Sequence, residues 1–176
     1  FIDYTSGIKY EFIKPETDTR DDSVKSRALD ISYKPIVIPS DRPELILDHV
    51  RGKQIVAIDE IQFFEDGIAQ VVDEMMRNNI QIIGAGLNLS FRGEAYKEMG
   101  NLIALATHPK SLVAVCQSPG CNNKARRTQR FINGLPAPYD SPIDMVEKPG
   151  TDLDYQARCL KHHYVRGKPR QYFLNK

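Results

Sequence analysis

The stretch IVAIDEIQFF, from Ile55 to Phe64, sets a run of apolar residues directly ahead of two adjacent acids. A short, uninterrupted, β-branched run of this kind marks a strand buried on both faces of a parallel sheet. Asp59 and Glu60 then fall at the strand's carboxyl end. In open parallel sheets that end is where ligands gather. An aspartate there can hold a divalent cation, and a neighbouring carboxylate can take a proton from a hydroxyl. The competing reading of the pair is an ordinary solvated strand end.

The flanking sequence repeats the same alternation. Upstream, IKYEFI (Ile8 to Ile13) reads as a strand ended by Pro15. ETDTRDDSVKSRALD reads as a long polar loop, and YKPIVI (Tyr33 to Ile38) as a further short strand. Pro43 opens a helix over PELILDHV, with Asp41 as its cap. Downstream, Ile68, Val71, Val72, Met75 and Met76 recur at helical spacing. IQIIGAGL reads as a second buried strand, residues 95–106 as a helix and SLVAVC as a third buried strand. Strands alternating with helices predict an α/β fold with a parallel sheet.

The 176 residues fit one domain with a small appendage. A composition 41% hydrophobic and 27% charged suits a soluble chain able to bury a core. The net charge of +1 argues against a dedicated nucleic-acid coat. No apolar run is long enough for a membrane span, and the opening FIDYTSGIKYEF has no signal-peptide pattern. Cytoplasm is the expected compartment. The chain begins with Phe, which predicts that a natural upstream segment is missing.

After Cys116 the sequence turns rich in Pro, Gly and charge and poor in apolar runs. A unit so poor in core needs a staple. Cys116 and Cys121 form a C-x4-C knuckle, and Cys159 with His162 a C-x2-H pair. Two such half-sites predict a closed, structural Cys3His zinc site, with His163 as the competing fourth ligand. The domain boundary is set at 1–115 for the α/β core and 116–176 for the zinc unit.

IDEIQFF is more specific than its acid pair. It is similar to the Asp-Glu-x-Gln-Phe segment of the cellular-type (type II) thymidine kinases. IKPETDTR, with Asp18 and Arg20, resembles that family's FKPxxDxR. GLNLSFRGEAY, from Gly86 to Tyr96, resembles its GLxxxFRGExF. The four expected zinc ligands resemble its zinc-bearing lasso domain, and Tyr155 stands four residues before Cys159, as the family's tyrosine does. The matches come in order across residues 8–164.

The resemblance implies a P-loop (RecA-like) parallel sheet with helices on both faces and a small zinc-binding lasso. It implies transfer of the ATP γ-phosphate to the 5′-hydroxyl of thymidine, or of deoxyuridine, in nucleotide salvage. Glu60 would be the general base, Asp59 would assist Mg²⁺, and Arg20 would contact the phosphates with Asp18 near the metal. Gln62, Phe63, Phe91 and Tyr155 would surround the base, with Arg92 orienting it. Backbone groups near Gly150, Thr151 and Asp152 would hydrogen-bond it. A homotetramer and feedback by thymidine triphosphate are implied likewise.

The chain departs from the family pattern in places. No Gly-x-x-x-x-Gly-Lys-Ser/Thr loop occurs, and SGIK (Ser6 to Lys9) leads into a strand where a phosphate cradle opens a helix. The isolated chain is therefore expected to be an incomplete, inactive portion of the kinase. Asn88 stands where the family has Asp, and EKPGTDLDY replaces its Gly-Gly lasso segment. Two other readings remain open. NKARRTQRF (Asn123 to Phe131), basic with a terminal aromatic, fits a zinc-ribbon binder of single-stranded nucleic acid as well as a plain strand. A degenerate kinase kept as a regulatory subunit would bind nucleoside without turnover.

Overall fold

The computed structural model describes residues 7–18, 24–26, 31–144 and 150–169, with 24–26 and 31–33 described by backbone alone. The chain divides into two compact units. The first comprises Phe1–Asn88 and Tyr96–Thr107, the second Leu89–Ala95 and His108–Lys176.

The first unit holds β1 (Tyr10–Pro15), β2 (Val24–Ser26), β3 (Ile31–Tyr33), β4 (Ile36–Ile38), α1 (Ile46–His49), β5 (Ile55–Ile58), α2 (Ile68–Arg77), β6 (Gln81–Gly84) and α3 (Met99–Leu105). Its main sheet has the order β4-β1-β5-β6 with every pairing parallel, as the alternation predicts. β5 lies inside the sheet. Val56 and Ile58 are fully buried on one face, and Ile55 and Ala57 half-buried on the other. β2 and β3 pair antiparallel within the segment that the sequence predicts as loop.

α2 forms where its apolar spacing places it, burying Ile68, Ala69, Val71, Val72 and Met75. Its first turn has no cap of its own, because Gly67 precedes it. Glu98 supplies one from a distance: its carboxylate accepts the Ala69 N–H at 2.9 Å. A carboxylate there satisfies an orphan donor and complements the helix dipole. The helix ends at Asn78, whose side-chain amide donates back to the Glu74 carbonyl at 2.8 Å.

Five expectations are corrected. The helix at Pro43 begins as a 3-10 turn, Pro43–Leu45, and its α-helical part is one turn long. Pro43 at the first position makes Arg42 the cap residue, so Asp41 sits one place too early to cap. The helix expected from residue 95 starts only at Met99, just after Glu98, whose carboxylate is spent on α2. β6 is a strand but not a buried one: it is the sheet's edge, and Ile83 is 46% exposed. In SLVAVC only Ala114–Val115 is a strand, β7, and it pairs antiparallel with β8 (Lys124–Ala125) outside the parallel sheet. Apolar content measures a capacity for burial, not a destination. The Cys116 N–H donates to the Asn123 carbonyl at 2.9 Å, so closing the cysteine knuckle draws the strand end into a hairpin.

The second unit adds β9 (Arg127–Ile132), β10 (Leu135–Pro136) and β11 (Leu153–Arg158), in the order β10-β9-β11 and antiparallel. Asn133-Gly134 joins β9 to β10 with both residues at positive φ, the demand that an Asn-Gly hairpin meets without strain. Its buried clusters are small. Phe91, Ala137 and Val165 pack with Ile132 and Tyr139. Cys116, Ala125 and Cys159 pack with Cys121 and Ala157. Among the described residues no helix is long and apolar enough to cross a membrane.

Candidate functional site

The acid pair leaves β5 through a sharp bend. The Asp59 N–H still joins the ladder, donating to the Ile13 carbonyl at 3.0 Å. Glu60 then takes a left-handed backbone, φ 49° and ψ 37°, before the 3-10 turn Ile61–Phe63. That conformation is uncommon for a residue with a Cβ and persists only where surrounding bonds fix it. Those bonds are present. The Glu60 N–H donates to Asp59 Oδ1 at 2.9 Å, and the Ile61 N–H to the Ala85 carbonyl at 3.0 Å.

Gln62 is the centre of this bend. It is 1% exposed. Its Nε2 donates a short hydrogen bond to Glu60 Oε2, and its Oε1 accepts the Leu87 N–H at 3.1 Å. The Leu87 N–H can only donate, so it fixes which end of the amide faces Glu60. The space for this amide exists because residue 86 is glycine: a Cβ there would overlap Gln62 Oε1 and lie 3.2 Å from Ile61 Cγ2. Asp59, Glu60 and Gln62 are thus brought together. Phe63 lies beside them in sequence, its ring edge-on to Tyr96 with centroids 5.9 Å apart.

Asp18 follows β1. Lys14 pairs with it, the ammonium 3.7 Å from Oδ2 and donating to the Asp18 carbonyl oxygen at 3.0 Å. Lys14 is 5% exposed and follows Ile13, which stands in register with Ile58 at the end of β5. Sequence reading gave it no role. A lysine at the close of a buried strand was the available signal. Arg20 lies outside the described residues.

In the second unit the four predicted ligands converge. The Sγ atoms of Cys116, Cys121 and Cys159 and a ring nitrogen of His162 all lie within 4.8 Å of one another. Cys116 and Cys159 Sγ stand 3.6 and 3.5 Å from His162 Nδ1, and Cys121 Sγ 4.0 Å from Cys159 Sγ. A tetrahedron with Zn–S of about 2.3 Å and Zn–N of about 2.05 Å has S···N edges of about 3.5 Å and S···S edges of about 3.8 Å. The donor set and spacing fit zinc. Burial raises the Cys116 thiol, but backbone N–H groups of Cys159 and Ser118, with His162 and Cys121, outweigh it and hold its pKa at about 6. On Cys121 the Asn123 N–H acts downward, yet burial and the Cys116 and Cys159 sulfurs carry the thiol upward. Crowded sulfurs that resist sharing negative charge are what a divalent cation relieves.

His163 does not compete for this site. Its Nε2 lies 2.8 Å from the Phe91 carbonyl. Burial lowers its pKa most; the Phe91 carbonyl opposes this, while the Arg127 and Lys168 charges add to it. Phe91 is buried in the second unit's core, with the Arg130 guanidinium 3.6 Å from its ring centroid. Arg130, which sequence reading treated as one member of a basic run, is fully buried and donates to the Ile143 and Pro142 carbonyls at 3.1 and 2.7 Å. The run NKARRTQRF is thus largely strand β9, flanked by β10 and β11, which favours the plain-strand reading over nucleic-acid binding. Arg92 stacks on Tyr139 at 4.8 Å and donates to the Ser141 carbonyl at 2.8 Å. Gly150, at φ 83°, and Thr151 lead to Asp152, whose carbonyl accepts the Asn133 N–H at 2.8 Å and whose N–H donates to Asn133 Oδ1 at 3.0 Å. Tyr155 lies on β11, half exposed.

Comparison with known proteins adds to these geometries. A family model described as Thymidine kinase matches residues 4–164. The chain is 42% identical over 156 residues to a protein named Thymidine kinase from Coprothermobacter proteolyticus, an alignment covering 89% of this chain and 76% of that one. It is 38% identical over 163 residues to another of that name from Pyrobaculum aerophilum, covering 91% of this chain and 85% of the relative. With a family match over most of its length and relatives this similar, the chain belongs to the thymidine kinase family.

Proposed function

We propose that this kinase transfers the ATP γ-phosphate to the thymidine 5′-hydroxyl with Glu60 as general base. The observation that carries the reading is the bend after β5, where Gln62 holds one Glu60 oxygen and a left-handed backbone turns the carboxylate out of the strand. A base fixed by packing and hydrogen bonds loses little freedom when substrate arrives. Glu60 receives the hydroxyl proton as the oxygen attacks. Asp59 would hold Mg²⁺ through the oxygen that does not accept the Glu60 N–H; the ion, when bound, would neutralise charge on the transferred phosphoryl group. Lys14 and Asp18 stand at the end of the neighbouring strand, and Arg20 would stabilise the same developing charge.

The thymine base would be enclosed by Gln62, Phe63, Phe91 and Tyr155, oriented by Arg92 and held through backbone groups of Gly150, Thr151 and Asp152. Burial of Phe91 beneath Arg130 supports a shaping role for that ring. The Cys3His cluster would hold a structural zinc ion that ties β7, β8 and the end of β11 together. The family reading also carries the RecA-like arrangement with helices on both faces, a core of 1–115 with a lasso of 116–176, a homotetramer, thymidine triphosphate feedback and a cytoplasmic setting. Thymidine phosphorylation by the full-length gene product, with ATP and Mg²⁺, tests the reading. Turnover lowered about 10²–10⁴-fold in Glu60→Gln is expected; thymidine binding without turnover in the unaltered protein would favour a regulatory role.

A further inference from the structure

A cleft of about 440 Å³ in the second unit is lined by Arg92, Gly93, Arg127, His163, Tyr164 and Lys168, among others. Three segments distant in sequence each bring a cation to it. The charges are not balanced locally. Lys168 pairs with Glu94 at 3.1 Å and also donates to the Arg92 carbonyl at 2.5 Å. Among the described residues no carboxylate lies within 4.0 Å of either Arg92 or Arg127. One glutamate therefore answers three cations.

The comparison with Arg130 shows that this is not how the unit treats a structural arginine. Arg130 is fully buried, spends both terminal nitrogens on carbonyl oxygens and lies over the Phe91 ring. Arg127 is only partly buried and makes a 3.2 Å donation from Nη1 to the Arg126 carbonyl, leaving most of its donor fork uncommitted. Arg92 gives Nη2 to the Ser141 carbonyl and keeps the rest of its fork. Gly93, at φ 72°, follows Arg92 on the lining with no side chain. A Cβ there would already touch Arg127 Nε and His163 Cε1 at 3.4 Å. The glycine keeps the floor of the cleft open between its cations.

We propose that this cleft binds a phosphate-bearing small molecule, at a site separate from the Cys3His cluster, with Arg92 the one lining residue it shares with the proposed nucleoside pocket. Guanidinium forks match phosphate oxygens in pairs, and a tetrahedral dianion can accept from donors that arrive from three directions at once. A carboxylate, with two oxygens in one plane, satisfies fewer of them. The volume exceeds that of a bare phosphate ion, so the ligand carries a further group. The Tyr164 ring, 56% exposed on the lining, offers it an apolar face.

The test is titration of inorganic phosphate into the zinc-loaded chain, followed by backbone amide NMR. Shifts are expected to concentrate at Gly93, Arg127 and Lys168 and to weaken with added salt. Arg127→Gln should weaken binding about tenfold or more, as should Lys168→Gln. Arg126→Gln, which removes the same charge from the exposed neighbour, should change it by about twofold at most. Saturating thymidine should leave the phosphate shifts in place. No localised shifts, equal losses in Arg126→Gln and Arg127→Gln, or displacement by thymidine would each overturn the proposal. So would binding confined to an oligothymidylate and spread over both arginines, which would make the patch a nucleic-acid surface.

Discussion

Replacing Cys159 with serine tests the metal centre and its place in the second unit together. The apolar contribution of that unit is small. Its first cluster rests on Phe91 and Val165, and burying both side chains gives about 5 kcal/mol. The second cluster consists largely of the ligand cysteines themselves. Structural zinc in small domains contributes about 10–16 kcal/mol of apparent binding energy, so a zinc ion held by this cluster would outweigh the packing. Changes that only touch a ligand's neighbours weaken metal binding about 10–100-fold. Losing a ligand whose sulfur sits 3.5 Å from His162 Nδ1 and 4.0 Å from Cys121 Sγ should exceed that, costing more than about 2.7 kcal/mol. Competition against a chromophoric chelator measures the affinity, and hydrogen exchange on β9 and β11 reports the structural consequence. We expect one equivalent of zinc per chain, near-complete loss in Cys159→Ser and His162→Ala, and retention in His163→Ala. Unit two amides should lose protection while β1 and β5 keep theirs. Zinc retained at full affinity in Cys159→Ser, or lost in His163→Ala and kept in His162→Ala, would refute the ligand assignment.

Other consequences follow from single contacts. Glu60→Gln keeps the shape of the base but not its proton affinity, and should lower kcat of the full-length enzyme about 10²–10⁴-fold in a thymidine phosphorylation assay, with little change in folding. Gly86→Ala should displace the Gln62 amide and strand the Leu87 N–H; at about 1–3 kcal/mol the melting temperature should fall by roughly 4 °C or more, which calorimetry reads directly. Gln62→Leu should lower kcat, because Glu60 loses the hydrogen bond that aims its carboxylate. His163 is held below the ordinary imidazole value, chiefly by burial. Its neutral form is the one the fold prefers, so its contribution is present above the unfolded pKa of about 6.5 and is lost as pH falls through the lower folded value. An NMR titration of the zinc-loaded chain should place its inflection below that of unfolded imidazole.

Much of the fold was legible because two kinds of signal are local. The apolar run of β5 and the helical spacing of α2 each fix an element without reference to distant residues. The Cys3His cluster was legible for a related reason: two short spacings each bring a pair of donors together, and the chain between them matters little. What failed was destination. SLVAVC has the composition of a buried strand, yet Leu112 is 81% exposed and Val115 63%. Arg130 is the converse, a charged residue in a basic run that proves to be fully buried. Its burial depends on Phe91, some forty positions upstream in sequence, and on two carbonyls of another loop. No window of sequence contains those partners. The same holds for Glu98, whose cap on α2 is a contact between elements and not a motif.

The bend after β5 shows why Asp-Glu-x-Gln works as a unit where Asp-Glu alone does not. A left-handed residue other than glycine costs about 1–3 kcal/mol, and Glu60 carries that cost. Asp59 offsets part of it by accepting the Glu60 N–H, and Gln62 offsets more by holding the carboxylate. Gln62 can do so only because its other end is fixed by the Leu87 N–H, over a glycine that leaves it room. Glycine at 60 would relieve the backbone and delete the carboxylate. Removing Gln62 would keep the carboxylate and release its aim. The strain, the buried amide and Gly86 are therefore one device with a single output: a carboxylate turned out of the strand end and prevented from folding back.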